Sequence, residues 1–380
     1  MHDFSYSIPQ NVMFGAGKLR SLPDLLGKLG MKKVFLVSDR GLEKLGVVGR
    51  VESIITEGGY EVESFLDVEP NPSAETVEAA AEACRASGAE GIVALGGGSS
   101  MDVAKTAGVL VAHGGSIRDY EGPLRVPGPI TPVIAVPTTA GTGSEATIAA
   151  VISDNVRNYK FSVLSPEIRP HHVILDPELI YSLPAGVAAS TGIDAFIHAL
   201  EAYLSRDATP FSDAMGEQAM QLIADNIRAF VADRSNKEAA DAMMIGSNFA
   251  GVAFSAARTG NVHALSHPVS AYFHVAHGVA NAILLPPVLR FNATVDNGRY
   301  EKVYRFLTGK TVEDFKPEML VEEVEKLLEE LNMPKTLSEV GVTEDKIDQM
   351  SDDAMASGTT TANPRDTSIE DVVALYHAAM

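Results

Sequence analysis

Short apolar, β-branched runs alternate with helical stretches through the first half of this chain, and then the alternation stops. "KKVFLVSD" (residues 32–39) reads as strand, "GLEKLGVVGRVESIITEGG" as helix and "YEVESFLDV" as strand. "NPSAETVEAAAEACRASG" opens with an N-cap serine, Ser73, and runs helical to a terminal glycine. "EGIVALGGGSS" and "TPVIAVPTTAGTGSEAT" each read as a strand ending in a glycine loop, with the helical "MDVAKTAGVLVAHGG" between them. Such a sequence predicts a parallel sheet with helices on both faces. After "VILDPELIYSLPAG" little strand signal remains. "TGIDAFIHALEAYL", "SDAMGEQAMQLIADNIRAFVAD", "NKEAADAMMIGSNFAGVAFSAA" and "VEEVEKLLEELN" all carry helical periodicity. A boundary near Pro184 divides an α/β domain, 1–184, from an all-helical domain, 185–380.

Composition narrows the partners. The chain has 380 residues, 46% of them hydrophobic, enough for two cores. Against 50 acidic residues stand 30 basic ones, a net charge of -20 that repels nucleic acid and anionic membrane. The single cysteine, Cys84, permits no internal disulfide and reads as a small buried helix residue, which fits a reducing cytoplasm. "MHDFSYSIPQNVMFG" lacks the basic start and apolar core of a signal peptide, and no apolar run is long enough to span a bilayer. A cytoplasmic protein is expected.

Two loops suit a dinucleotide. "GGGSS" places Gly96, Gly97 and Gly98 between a strand and a helix, where the backbone approaches a pyrophosphate closely and the helix N-terminus favours an anion. It lacks the G-x-G-x-x-G fingerprint. "PTTAGTGSEAT" adds the hydroxyls of Thr138, Thr139, Thr142 and Ser144 at a second strand end, and in an open parallel sheet ligands bind beyond the carboxyl ends of strands. Asp39 ends a strand as well. It suits either an adenosine ribose or the cap of the next helix.

The second half gathers histidines. Residues 260–281, "GNVHALSHPVSAYFHVAHGVAN", hold four of the ten: His263, His267, His274 and His277. Upstream, Asp194 and His198 stand four apart and share one helix face. A carboxylate in so apolar a stretch needs a partner if buried. One oxygen and three imidazole nitrogens suit Fe(II) or Zn(II) rather than Ca(II) or Mg(II). Spacing leaves open which two of the four histidines complete the set, although His263 and His267 also lie one turn apart.

At this point the chain resembles the iron-containing (group III) alcohol dehydrogenase family over essentially its whole length, and within it the lactaldehyde and short-diol reductases. The resemblance rests on "FGAGKL", "LVSDRGL", "EPNPS", "GGGSSMDVAK", "PTTAGTGSEAT", "DP", "TGIDAFIHALEAY", "HALSHP", "HGVANAILLP" and "NPR". It implies an α/β, parallel-sheet dinucleotide-binding domain followed by an all-helical metal-binding domain, the architecture shared with dehydroquinate synthase-like proteins. It implies Asp194, His198, His263 and His277 as metal ligands, with His267 beside the metal in a catalytic, proton-relaying role. For NAD(H) it implicates Asp39, Asn71, Gly97, Gly98, Ser99, Asp102, Thr138, Thr139, Thr142 and Lys160. An aspartate at position 39 resembles the NAD-preferring members. Phe254, Arg258 and His274 are candidates on the substrate side. His274 departs from the family pattern and reads as a non-ligand, and Ala276 replaces a frequent proline. Arg258 departs as well, and it either pairs with an anionic short aldehyde such as sulfoacetaldehyde or succinic semialdehyde, or caps a helix C-terminus or pairs with a surface carboxylate.

The chemistry so implied is reversible hydride transfer between nicotinamide and a short-chain alcohol or aldehyde, assisted by Fe(II) or Zn(II) as Lewis acid across an interdomain cleft. A homodimer or higher homo-oligomer is expected, with the N-terminal segment as an edge strand pairing across it. One alternative is a dehydroquinate synthase-like or glycerol dehydrogenase-like enzyme of the same architecture. Another is a non-catalytic metal- or nucleotide-binding protein.

Overall fold

In the computed structural model, which describes residues 3–8, 10–157 and 159–380, the alternating half of the sequence does build a parallel sheet. In chain order the strands are β1 (Asn11–Phe14), β2 (Lys33–Val37), β3 (Glu61–Phe65), β4 (Gly91–Gly96), β5 (Gly122–Pro123), β6 (Val133–Pro137), β7 (Ala149–Asp154), β8 (Tyr159–Leu164) and β9 (His172–Leu175). Six of them run β1-β9-β6-β4-β2-β3 with every neighbouring pair parallel. Helices α1 (Leu22–Lys28), α2 (Arg40–Lys44), α3 (Val47–Glu57), α4 (Ala74–Ser87) and α5 (Gly98–His113) connect them. The central strands are continuous apolar runs because both faces are covered: every residue of β4 and of β6 is buried. On one face Leu22, Leu26, Val51 and Ile55 pack against Leu36, Val93, Leu95 and Val136.

Two local features differ from the sequence reading. The stretch read as one helix after Asp39 is two, because Gly46 takes a left-handed φ of 76° and ends α2 before α3 begins. The segment after the second glycine loop forms an unanticipated antiparallel pair, β7 with β8, which joins β5 in a separate three-stranded sheet. Ser73 does cap α4, its side chain accepting from Thr76 N, and Cys84 is buried with its thiol pushed up to about 11 by desolvation.

The remainder is helical: α6 (Ala185–Leu204), α7 (Pro210–Ala232), α8 (Lys237–Ala257), α9 (Asn261–Phe273), α10 (His277–Asn292), α11 (Arg299–Thr308), α12 (Pro317–Glu330), α13 (Ile347–Ala356) and α14 (Ile369–Ala379). Helix α6 is packed all round, buried at nearly every position from Ala188 to Tyr203, so any polar side chain it carries is held away from water. The chain forms two compact units. One comprises Ser7–Thr139 and Gly143–Tyr181; the other comprises Ser182–Met380 with Ala140–Thr142 and residues 3–6. No helix among the described residues is long and apolar enough to cross a membrane.

Candidate active site

In the helical unit, α6 presents Asp194, His198 and Glu201 one and two turns apart on one face, all buried. Helix α9 carries His263 in its first turn, and α10 opens with His277. Gly278 is what lets α10 start so close. A Cβ there would lie 2.2 Å from the Ser190 carbonyl oxygen of α6 and 3.4 Å from Asp194 Cβ. Asp194, His198, His263 and His277 each offer one donor atom, and these four atoms lie within 4.8 Å of one another. Oδ1 of Asp194 is 3.8 Å from Nε2 of both His263 and His277, and Oδ2 is 3.8 Å from Nδ1 of His198.

The surroundings of this cluster are those of a cation site. Burial pushes the Asp194 carboxyl up to about 6, against the pull of His263, and pushes His198 well below its ordinary value, with the charges of His263 and His267 adding to the effect. Nδ1 of His198 is buried without a hydrogen-bond partner. One carboxylate and three imidazoles brought together in this way form a donor set that a divalent ion of borderline softness satisfies. The donor set therefore fits Fe(II) or Zn(II).

Two residues that hold the cluster were not singled out in the sequence. Glu201 accepts from Nδ1 of His263 at 2.6 Å and from the backbone N–H of Val262 at 2.7 Å. With Nδ1 donating, Nε2 of His263 is left as the lone-pair face turned to Asp194. Asn281, fully buried and one turn beyond His277, donates from Nδ2 to Asp194 Oδ1 at 2.6 Å, with Nε2 of His277 at 3.1 Å and of His263 at 3.3 Å. The signals were their spacings: Glu201 is i+7 from Asp194, and Asn281 is i+4 from His277.

The other histidines and the substrate-side candidates fall as follows. His267 lies one turn after His263, partly buried, its ring stacked 5.3 Å from that of His277. His274 is exposed, at the left-handed C-cap of α9 with φ 55°. Phe254 stacks on His198 with ring centroids 4.3 Å apart. Arg258 forms the C-cap of α8 and is half-exposed; its guanidinium meets Asp207 Oδ2 at 3.2 Å, the Gly358 carbonyl at 2.6 Å and Thr361 Oγ1 at 3.0 Å.

In the α/β unit the two glycine loops adjoin. They follow β4 and β6, which are neighbours, and Thr138 N donates to the Gly96 carbonyl at 3.0 Å. Gly97 is the N-cap of α5 and no side chain caps that helix, so the amides of Gly98 and Ser99 open its positive end. The chain winds outward from β2 to β3 and then returns to β4 on the other side of β2, so Asp39 and the first loop stand at the reversal of strand order. Oδ1 of Asp39 caps α2, accepting from Gly41 N at 2.8 Å and Leu42 N at 3.0 Å. Asn71 adopts φ 56° and accepts from Lys160 Nζ at 2.8 Å; burial lowers that ammonium to about 8, opposed by Asp102. Asp102 accepts from Ser144 Oγ and Val151 N, and Thr139 continues the second loop, whose Ala140–Thr142 stretch belongs to the helical unit. Asp176, another residue the sequence reading left without a role, is fully buried and accepts from Gly17 N, Leu19 N and Glu178 N, which binds the "FGAGKL" turn to the end of β9.

Residues 9–177 match the family Iron-containing alcohol dehydrogenase, and residues 188–380 match Fe-containing alcohol dehydrogenase family, C-terminal. The chain is 35% identical to lactaldehyde reductase of Escherichia coli (strain K12) over 376 residues, 97% of this chain and 98% of that one. A solved 1,3-propanediol oxidoreductase superposes with a TM-score of 0.96 at 35% identity, covering 100% of both chains. The sulfoacetaldehyde reductase of Bifidobacterium kashiwanohense, solved with NAD+, superposes with a TM-score of 0.89 at 29% identity, covering 100% of this chain and 99% of that one.

Proposed function

The chain belongs to the iron-containing alcohol dehydrogenase family, an NAD(H)-linked alcohol dehydrogenase or aldehyde reductase, and we propose that Asp194, His198, His263 and His277 hold its Fe(II) or Zn(II). The observation that carries this assignment is the convergence of one carboxylate and three imidazoles, whose donor atoms lie within 4.8 Å of one another with three of the four residues buried. Bound there, the metal supplies Lewis acidity at the substrate oxygen, and the nicotinamide supplies or takes the hydride. Glu201 holds the His263 ring by its Nδ1–H, and the Asn281 amide holds the Asp194 carboxylate, so the donors keep their places through the reaction. His267, stacked on His277 and partly exposed, is proposed to pass the proton between substrate oxygen and solvent.

NAD(H) is proposed to lie on the α/β unit. Its pyrophosphate meets the uncapped α5 N-terminus at Gly97, Gly98 and Ser99, and its remaining length follows Thr138 and Thr139; Thr142, which groups with the helical unit, is a further cofactor candidate. The free oxygen of Asp39 takes the adenosine ribose, and Asn71 and Lys160, joined by their own hydrogen bond, act together at the nicotinamide ribose. The substrate is a short-chain aldehyde or alcohol set against Phe254. Arg258 already has Asp207 as a counter-charge, which favours an uncharged substrate over an anionic one. Placement in this family sets aside the synthase-like alternative. A homodimer through the open edge of β1 and a cytoplasmic location complete the proposal.

The test is anaerobic NADH oxidation by the Fe(II)-loaded protein on lactaldehyde, propanal and butanal beside sulfoacetaldehyde and succinic semialdehyde. Faster turnover on the neutral group supports the substrate assignment. Preference for the anionic group, abolished in Arg258→Ala, would return the anion-binding reading. NADH binding with no turnover on either group would favour a non-catalytic protein.

A further inference from the structure

Lys105 is fully buried on α5, two turns beyond the Gly97–Ser99 loop, and the activity proposed above makes no use of it. An ammonium has three N–H groups to give. Four acceptors surround this one: the Ser144 carbonyl, Ser144 Oγ at 2.8 Å, Thr147 Oγ1 at 3.1 Å and the Ala149 carbonyl at 2.9 Å. No donor is left over for a phosphate. One turn earlier, Asp102 uses both carboxylate oxygens, Oδ1 accepting from Ser144 Oγ at 2.8 Å and Oδ2 from Val151 N at 2.9 Å. Ser144 Oγ thus takes a hydrogen bond from the lysine and gives one to the aspartate, bridging a fully buried ammonium and a half-buried carboxylate. Such a pair persists in an interior only when its geometry is fully satisfied. Every acceptor and donor it meets lies between Ser144 and Val151, where the chain leaves the second glycine loop and enters β7. Both charged residues sit on the helix whose N-terminus is the first loop.

We propose that Asp102 and Lys105 are positioning residues that lock the Ser144–Val151 stretch onto α5, and so set the second loop in register with the first, and that neither touches the dinucleotide. This rests on the placement of NAD(H) on those two loops. A loop held ready before the cofactor arrives loses less freedom when it binds, so the lock acts on affinity rather than on the hydride step.

The experiment compares the parent with Lys105→Met, Lys105→Arg and Ser144→Ala. It reads the NADH dissociation constant by nicotinamide fluorescence, KM against kcat, and amide hydrogen exchange over residues 143–151. Ser144→Ala removes only the bridging hydroxyl, so it decides the matter even where Lys105→Met fails to fold. Expected are NADH affinities about tenfold weaker in Lys105→Met and Ser144→Ala, with kcat at saturating NADH within about twofold of the parent and faster exchange over 143–151. Lys105→Arg is expected not to restore affinity, since a planar fork does not fit acceptors arranged about a compact ammonium. Full affinity in Lys105→Arg with no effect of Ser144→Ala would overturn the lock in favour of a direct phosphate contact, and unchanged exchange in Lys105→Met or Ser144→Ala would overturn it outright. A parent protein that binds no NADH would defeat the nucleotide placement instead, while the exchange rates would still decide the lock.

Discussion

Replacing Glu201 with glutamine leaves the volume of the site unchanged and removes one charge from behind His263. In the parent, both carboxylate oxygens accept, from His263 Nδ1 at 2.6 Å and Val262 N at 2.7 Å. A glutamine has one accepting oxygen, so either bond survives only at the expense of the other, and its amide N–H2 then faces a donor. A hydrogen bond to a charged group contributes about 1.5–3 kcal/mol, and that sum falls on the orientation and basicity of one ligand. At about 1.4 kcal/mol per factor of ten, the metal dissociation constant should rise roughly 10- to 100-fold. The assay is titration of the metal-free protein with Co(II), followed by its visible ligand-field bands, with chelator competition for the tight parent. Unaltered far-ultraviolet circular dichroism checks that the fold is intact. A Glu201→Gln protein that binds metal within about twofold of the parent would show that His263 needs no such support, and the reasoning from hydrogen-bond count would be wrong.

Other expectations follow from the same geometry. Gly278→Ala should push α10 away from α6 and cost about 1–3 kcal/mol, read as a lower Tm together with reduced metal content, since the added carbon would sit 2.2 Å from the Ser190 carbonyl oxygen. Asp194 is raised to about 6, so below that pH the buried group holds a proton that the metal must displace; metal affinity should fall about tenfold per pH unit once pH drops below about 6. The same shift makes the metal-free protein lose stability from this group as pH rises from its unfolded value of about 3.9 through about 6, so metal should raise Tm more at pH 7.5 than at pH 5, measured by calorimetry at both. Asp176→Ala removes a buried carboxylate that accepts from three backbone amides and should lower Tm sharply without changing Co(II) binding to the helical unit.

How far these features could be read beforehand depended on which kind of order the sequence expresses. β2, β4 and β6 were legible because strands covered on both faces are continuous apolar runs that end abruptly in glycine or polar residues. The β7–β8 pair was not, because its alternation, with Ala150 and Ile152 buried between half-buried neighbours, is short and follows closely on a glycine loop. The break between α2 and α3 depended on the backbone sign of Gly46, which periodicity does not register. Spacing put Asp194 and His198 on one helix face, but it equally favoured His263 with His267. What separates His277 from His267 is the entry angle of α10, set by contact at Gly278 with a helix some 90 residues earlier, and no local pattern encodes that. Lys105 was invisible for a similar reason. In "MDVAKTAG" it has the spacing of an ordinary solvated lysine, and only the return of residues 144–149 over α5 encloses it.

The central claim is that hydride transfer by this chain depends on metal held by the Asp194, His198, His263 and His277 cluster. The measurement that bears on it most directly is anaerobic NADH oxidation with lactaldehyde, followed in one sample through three stages: Fe(II)-loaded, stripped by chelator, and reloaded. Turnover that vanishes on stripping and returns on reloading, and that is absent at every stage in His277→Ala, is the predicted result. Turnover that persists in the stripped protein, or that survives reloading in His277→Ala at the parent's rate, would contradict the account.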